Sequence, residues 1–167
     1  NDVVSKNCTV KSTPHCVIIC NGDCFSERCE NMNLQEVYDK IKDSNIKVFP
    51  FGIDKIKAVT IETDNRYGIF INHDEIADRD EEFCVVAHEY GHCKSGTTHK
   101  LNSPLSLICQ HEYRADRQSI MDFLPVEKIR EAIKSGYQTL YEIASFVDMP
   151  EEFVAKAIQH YTCMELI

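Results

Sequence analysis

The sequence predicts an α+β domain in which a small antiparallel sheet packs against a mostly helical body. Two observations carry this. Short β-branched runs, Val59-Thr60-Ile61 and Ile69-Phe70-Ile71, bracket the turn-prone stretch Asp64-Asn65-Arg66-Tyr67-Gly68 and read as a hairpin with a longer loop. From Asp80 onward the apolar residues recur at helical spacing for most of the remaining chain, interrupted by Pro and Gly.

Taken in order, residues 1–32 form a Cys-rich, weakly periodic segment, and residues 33–167 form the main domain, its part from 126 onward wholly helical. Asn33 is a suitable N-cap for a helix whose apolar face is Leu34, Val37, Tyr38 and Ile41, ending near residues 43–45. Lys47-Val48-Phe49 reads as a short strand broken by Pro50. After the hairpin, Phe83, Cys84, Ala87, Tyr90 and Gly91 follow the helical period, with Asp80, Glu81 and Glu82 favourable to the helix dipole in the first turn. Ser103 as N-cap and Pro104 as first helical residue predict a helix running to about Leu124 and stopped by Pro125. Shorter helices follow at 126–135, 139–147 and 151–161.

Composition narrows the function. The 167 residues suffice for one domain with its own core, and 43% apolar with 27% charged content is ordinary for a globular chain. No apolar run approaches the roughly 18 residues of a membrane span, so a membrane role is not expected. A formal charge of −9, from 27 acidic and 18 basic residues, repels phosphate backbones, and no basic cluster offsets it. Nucleic acid is therefore a poor partner. The pair of helices around Asp148-Met149-Pro150 has the outline of a helix-turn-helix, but its second member offers Glu151, Glu152 and only Lys156.

The nine cysteines are unevenly placed: Cys8, Cys16, Cys20, Cys24 and Cys29 precede residue 30, and Cys84, Cys93, Cys109 and Cys163 follow. An odd number does not pair completely within one chain, and the opening Asn1 to Cys8 shows no basic-then-apolar leader. Both points lead to the expectation of a reducing, cytoplasmic setting. His15, Cys16, Cys20, Cys24 and Cys29 can hold a second, structural zinc, yet their spacing matches no common knuckle; a packed cap or a free arm is the plainer reading.

The chemistry concentrates in His88-Glu89-Tyr90-Gly91-His92, an H-E-x-x-H pattern inside an expected helix. Residues four apart on a helix share a face, so His88 and His92 can take adjacent corners of a tetrahedral metal site. Glu89 stands one position on, where its carboxylate reaches beside the metal and can take a proton from water. Downstream, Glu112 and Asp116 are again four apart on one helix: one carboxylate can complete the metal site and the other can orient a ligand imidazole. Cys84, one turn before His88, can approach the metal or lie beneath it as a buried thiol. His111 should point about 100° away from Glu112, toward the rim. For an oxyanion donor Tyr90, His99, His111, Tyr113 and Arg114 are all candidates.

Together with Glu112-Tyr113-Arg114-Ala115-Asp116 and the closing Phe123-Leu124-Pro125, this motif resembles the ImmA/IrrE-type metallopeptidases over about residues 34–161. Its ligand layout is similar to that of the thermolysin-like gluzincins. The resemblance implies Zn2+ held by His88, His92 and Glu112, Glu89 as catalytic base, Asp116 behind a ligand, and a protein or peptide substrate. In that family the substrate is a helix-turn-helix transcriptional repressor, often of a mobile element. The segment before Asn33 and the spacer 94–110 lie outside the pattern. A metzincin would need Gly three and His six residues after the second ligand; Gly96 and His99 each stand one residue late, which leaves His99 as a lesser alternative to Glu112. The expected activity is that of a zinc endopeptidase. The rival is a regulatory protein-binding module that keeps the fold without hydrolysing anything, and the presence of Glu89 argues for the enzyme.

Overall fold

The computed structural model describes residues 32–64, 66–98 and 103–167. The chain runs α1 (Met32–Asp43), β1 (Lys47–Pro50), β2 (Ala58–Thr63), β3 (Arg66–Ile71), a single 3-10 turn (His73–Glu75), then α2 (Arg79–Ser95), α3 (Leu105–Phe123), α4 (Val126–Lys134), α5 (Leu140–Val147) and α6 (Glu151–Cys163). The α+β class expected from the sequence is what is found. The Cys-rich stretch 8–29, with His15, and the alternative ligand His99 lie outside the described residues.

The hairpin forms as expected, β2 antiparallel to β3 with Thr60 opposite Ile69. The sheet as a whole is mixed, however: its order is β1-β3-β2, and β1 joins β3 in parallel. Apolar alternation marks strands but carries no direction, so only side-chain packing reveals the neighbour. Phe49 of β1 stacks on Phe70 of β3 at 5.0 Å, and Phe51 meets the same ring edge-on. Gly68 leaves room for this, since a Cβ there would lie 3.3 Å from the Phe49 ring.

Helix α2 is the centre of the molecule, packed on α1, α3, β2 and β3. Its residues 83–87 are all buried, as are Tyr90 to Cys93, so it is enclosed nearly all round and does not show the one-sided stripe of a surface helix. Phe83 lies between Phe123 of α3 and Phe153 of α6, with centroids at 6.2 and 5.1 Å, which joins the C-terminal helices to the core. The Asp78 carboxylate caps the N-terminus by accepting from the Glu81 N–H at 2.8 Å. Lys57 pairs with Glu81 and ties that end to the start of β2. Gly96, at φ +62°, ends the helix in the left-handed conformation that favours glycine.

Proline punctuates the rest. Helices α3, α4 and α6 each begin on the residue after a proline, at Pro104, Pro125 and Pro150. Pro104 has an extended ψ of 143°, so the cap position is Pro104 and the helix starts one residue later than its sequence suggests. Similarly α1 already includes Met32, placing Asn33 in the first turn. Helix α5 opens with a reciprocal capping box between Thr139 and Glu142. Among the described residues no helix is long and apolar enough to cross a membrane.

Candidate metal centre

The site is built where α2 crosses α3. Gly91 meets Ala115 there: a Cβ on Gly91 would fall 2.1 Å from the Ala115 carbonyl oxygen, and Ala115 is fully buried. His88 and His92 stand three residues before and one after Gly91; Glu112 and Asp116 stand in the same relation to Ala115. The close crossing thus turns two pairs of i, i+4 residues toward each other.

Three ligand atoms converge. His88 Nε2 is 3.1 Å from His92 Nε2 and 3.1 Å from Glu112 Oε2, and His92 Nε2 is 3.5 Å from Glu112 Oε1. A tetrahedral ion with bonds of 2.0–2.1 Å holds adjacent ligand atoms about 3.3 Å apart. The three separations fit one face of such a tetrahedron, so His88, His92 and Glu112 can hold a metal ion. His92 keeps 8% of its side chain exposed and Glu112 32%, which puts the open side of the site toward Glu112.

The far atoms of both rings are held. His88 Nδ1 lies 2.8 Å from Asp116 Oδ1, and His92 Nδ1 lies 3.2 Å from the Thr97 carbonyl oxygen. The Asp116 carboxylate accepts only, so His88 Nδ1 donates to it and its neutral ring presents the Nε2 lone pair inward; the Thr97 carbonyl favours the same tautomer for His92, whose Nδ1 also lies 3.1 Å from the Thr97 hydroxyl. In that tautomer two lone pairs and a carboxylate face one another, an arrangement that a cation between them would stabilise. Protons supply it in part. Burial works against a charge on His88, but the Asp116 and Glu112 carboxylates outweigh it and raise its pKa to about 10. Burial alone would raise Asp116; hydrogen bonding and charge from His88, with Lys156 at 3.9 Å, hold its carboxyl below the usual range.

Glu89 lies on the sheet side of this group. Thr60 Oγ1, on β2, is 2.5 Å from Glu89 Oε2 and 3.2 Å from its main-chain oxygen. Burial, aided by Glu112, raises the Glu89 pKa, while His88 and the Thr60 hydroxyl oppose the rise. The segment after α2 is tied to the same strand by Thr98, whose hydroxyl donates to Glu62 at 2.7 Å.

The chain has no significant match among protein-family models, curated proteins or solved structures. The candidate centre therefore stands on its own residues and geometry.

All five residues singled out in the sequence lie here: His88, His92 and Glu112 converge, Asp116 bonds His88, and Glu89 adjoins them. Cys84 is a buried member of the core and not of the converging group. Cys93 is buried, its thiol pushed up to about 12 chiefly by burial; Cys109 and Cys163 are exposed. Tyr90 is removed as an oxyanion donor, because its hydroxyl is buried and donates to Asp122 at 3.0 Å. Tyr113 is exposed, its ring 6.1 Å from that of His160. Sequence reasoning did not find Thr60 and Thr97, which bond the site from a strand and a loop and carry no motif. Gly91 did carry a signal: a glycine inside a helical pattern costs about 1 kcal/mol relative to alanine, which calls for a packing reason.

Proposed function

We propose that this chain is a zinc-dependent endopeptidase acting on a protein substrate. The observation that carries the reading is the convergence of His88, His92 and Glu112, at separations of 3.1 to 3.5 Å, beside the buried Glu89 carboxylate. Two imidazoles and one carboxylate on two helices, with a side left open, form the donor set of a catalytic zinc more than of a closed structural one. A binding-only site would have no use for a carboxylate whose ionisation is opposed by burial at this position.

His88, His92 and Glu112 would hold the ion, oriented by Asp116 and by the Thr97 carbonyl. When bound, zinc would supply Lewis acidity to the scissile carbonyl and lower the pKa of water at the site. Glu89 would take a proton from a water molecule as it attacks the scissile carbonyl carbon. The same carboxyl then delivers the proton to the departing amine, so the C–N bond breaks with neutral leaving group. The raised pKa of Glu89 suits a group that must both accept and release a proton. Likeness of the motif to the ImmA/IrrE type favours a transcriptional repressor as substrate.

The test is metal analysis of the purified full chain, together with cleavage of repressor-like and unstructured proteins by wild type and Glu89→Gln at equal metal content. About one zinc per main domain and turnover lost in Glu89→Gln are expected. Binding of a partner without cleavage, unchanged in the variant, would establish the non-hydrolytic module instead.

A further inference from the structure

Both imidazoles and the Glu89 carboxylate have an outer atom tied down: His88 by Asp116, His92 by Thr97, and Glu89 by Thr60. The third tie comes from a different part of the fold. Thr60 lies in the middle of β2, fixed by its pairing with Ile69 on β3, and reaches across to α2. A threonine hydroxyl has one proton. With a carboxylate oxygen at 2.5 Å and a carbonyl oxygen at 3.2 Å, the charged, nearer acceptor takes it. Cys93 completes the chain, its Sγ 3.9 Å from Thr60 Oγ1 and able to donate to it. Among the described residues Thr60 is the one hydrogen-bond donor to the Glu89 carboxylate.

We propose that Thr60 is a positioning residue: by binding Oε2 of Glu89 it directs Oε1 toward the open side of the centre. The inference rests on the peptidase reading above. A carboxylate on a flexible glutamate arm samples several χ3 orientations, and a proton transfer needs one of them. A donor on a hydrogen-bonded strand fixes that orientation without touching substrate. Both carboxylate oxygens are then employed, one toward the sheet and one toward water.

The test compares Thr60→Val, which keeps the branched shape and removes the donor, with Thr60→Ser, which keeps the donor. Both are measured beside Glu89→Gln, at matched zinc content and with thermal unfolding as the check on folding. Thr60→Val should lower kcat about 10–100-fold with KM within about twofold, and Thr60→Ser should recover most of it. A second readout needs no turnover: the side-chain carboxyl 13C resonance of Glu89 in metal-free protein, identified by its loss in Glu89→Gln. It should move in Thr60→Val and stay in place in Thr60→Ser. An unmoved resonance, an unchanged kcat, or equal losses in the Val and Ser variants would overturn the inference. The peptidase reading fails separately, when Glu89→Gln itself turns over like wild type.

Discussion

Gly91 and Ala115 touch backbone to backbone, so closely that a Cβ on Gly91 would sit 2.1 Å from the Ala115 oxygen. This contact sets the distance between the helix that bears both histidines and the helix that bears Glu112 and Asp116. Gly91→Ala brings two opposed effects. Alanine favours a helix interior by about 1 kcal/mol over glycine. Overpacking against backbone on both sides typically costs about 1–3 kcal/mol. Because neither backbone can swing aside like a flexible side chain, the second effect wins. Gly91→Ala is expected to be less stable in urea and to bind zinc more weakly, as α3 is pushed outward. A variant with wild-type zinc affinity would show that the crossing does not set the site.

Removing ligands separates their roles. His88→Ala and His92→Ala should each lose the bound ion, read as metal per chain after dialysis. Glu112→Ala should weaken zinc binding far more than His99→Ala, since the Glu112 oxygens lie 3.1 and 3.5 Å from the two imidazole nitrogens. The opposite order would move the third ligand into the spacer.

Asp116 acts through His88, so its loss should be milder. Asp116→Asn keeps the shape but removes the charged acceptor at 2.8 Å, and a cost of about 10–100-fold in zinc affinity or activity is expected. Dissociation constants from chelator competition give the comparison.

The exchange of a proton for metal predicts a pH dependence. In metal-free protein the His88 pKa is raised from 6.5 to about 10 by Asp116 and Glu112 against the effect of burial. A raised folded-state value stabilises most below pH 6.5, and that contribution is lost as pH climbs toward 10. Metal-free protein should therefore lose stability over this window, while zinc affinity rises because the ion no longer competes with a proton. Denaturant unfolding at several pH values, with and without zinc, reads both trends. A flat metal-free profile would mean that His88 is neutral throughout.

Glu89→Gln should retain metal and fold yet lose about 10²–10⁴-fold in turnover, the usual scale of a general base. Thermal unfolding and metal content should match wild type. Equal turnover would remove Glu89 from the mechanism.

Much of this molecule was legible before any tertiary structure. Helical period and proline punctuation located α1, α3, α4, α5 and α6 to within a residue or two at most ends, and the β-branched runs located the hairpin. These signals are local, because the hydrogen bonds and apolar periodicity behind them span only a few residues. The i, i+4 spacing in His88/His92 and in Glu112/Asp116 is local in the same sense, and it determined which side chains share a face. What only the tertiary structure decided is non-local. The parallel attachment of β1 follows from Phe49 stacking on Phe70, and the enclosure of α2 follows from what surrounds it. The meeting of the two ligand pairs depends on Gly91 lying against Ala115, 24 residues later in the chain. The anchoring of Glu89 by Thr60 joins a strand to a helix across 29 residues. Neither a lone threonine nor a lone glycine carries a repeat or a spacing that names its partner. Their roles come from packing, which brings together groups whose separation along the chain is unrelated to their distance in space.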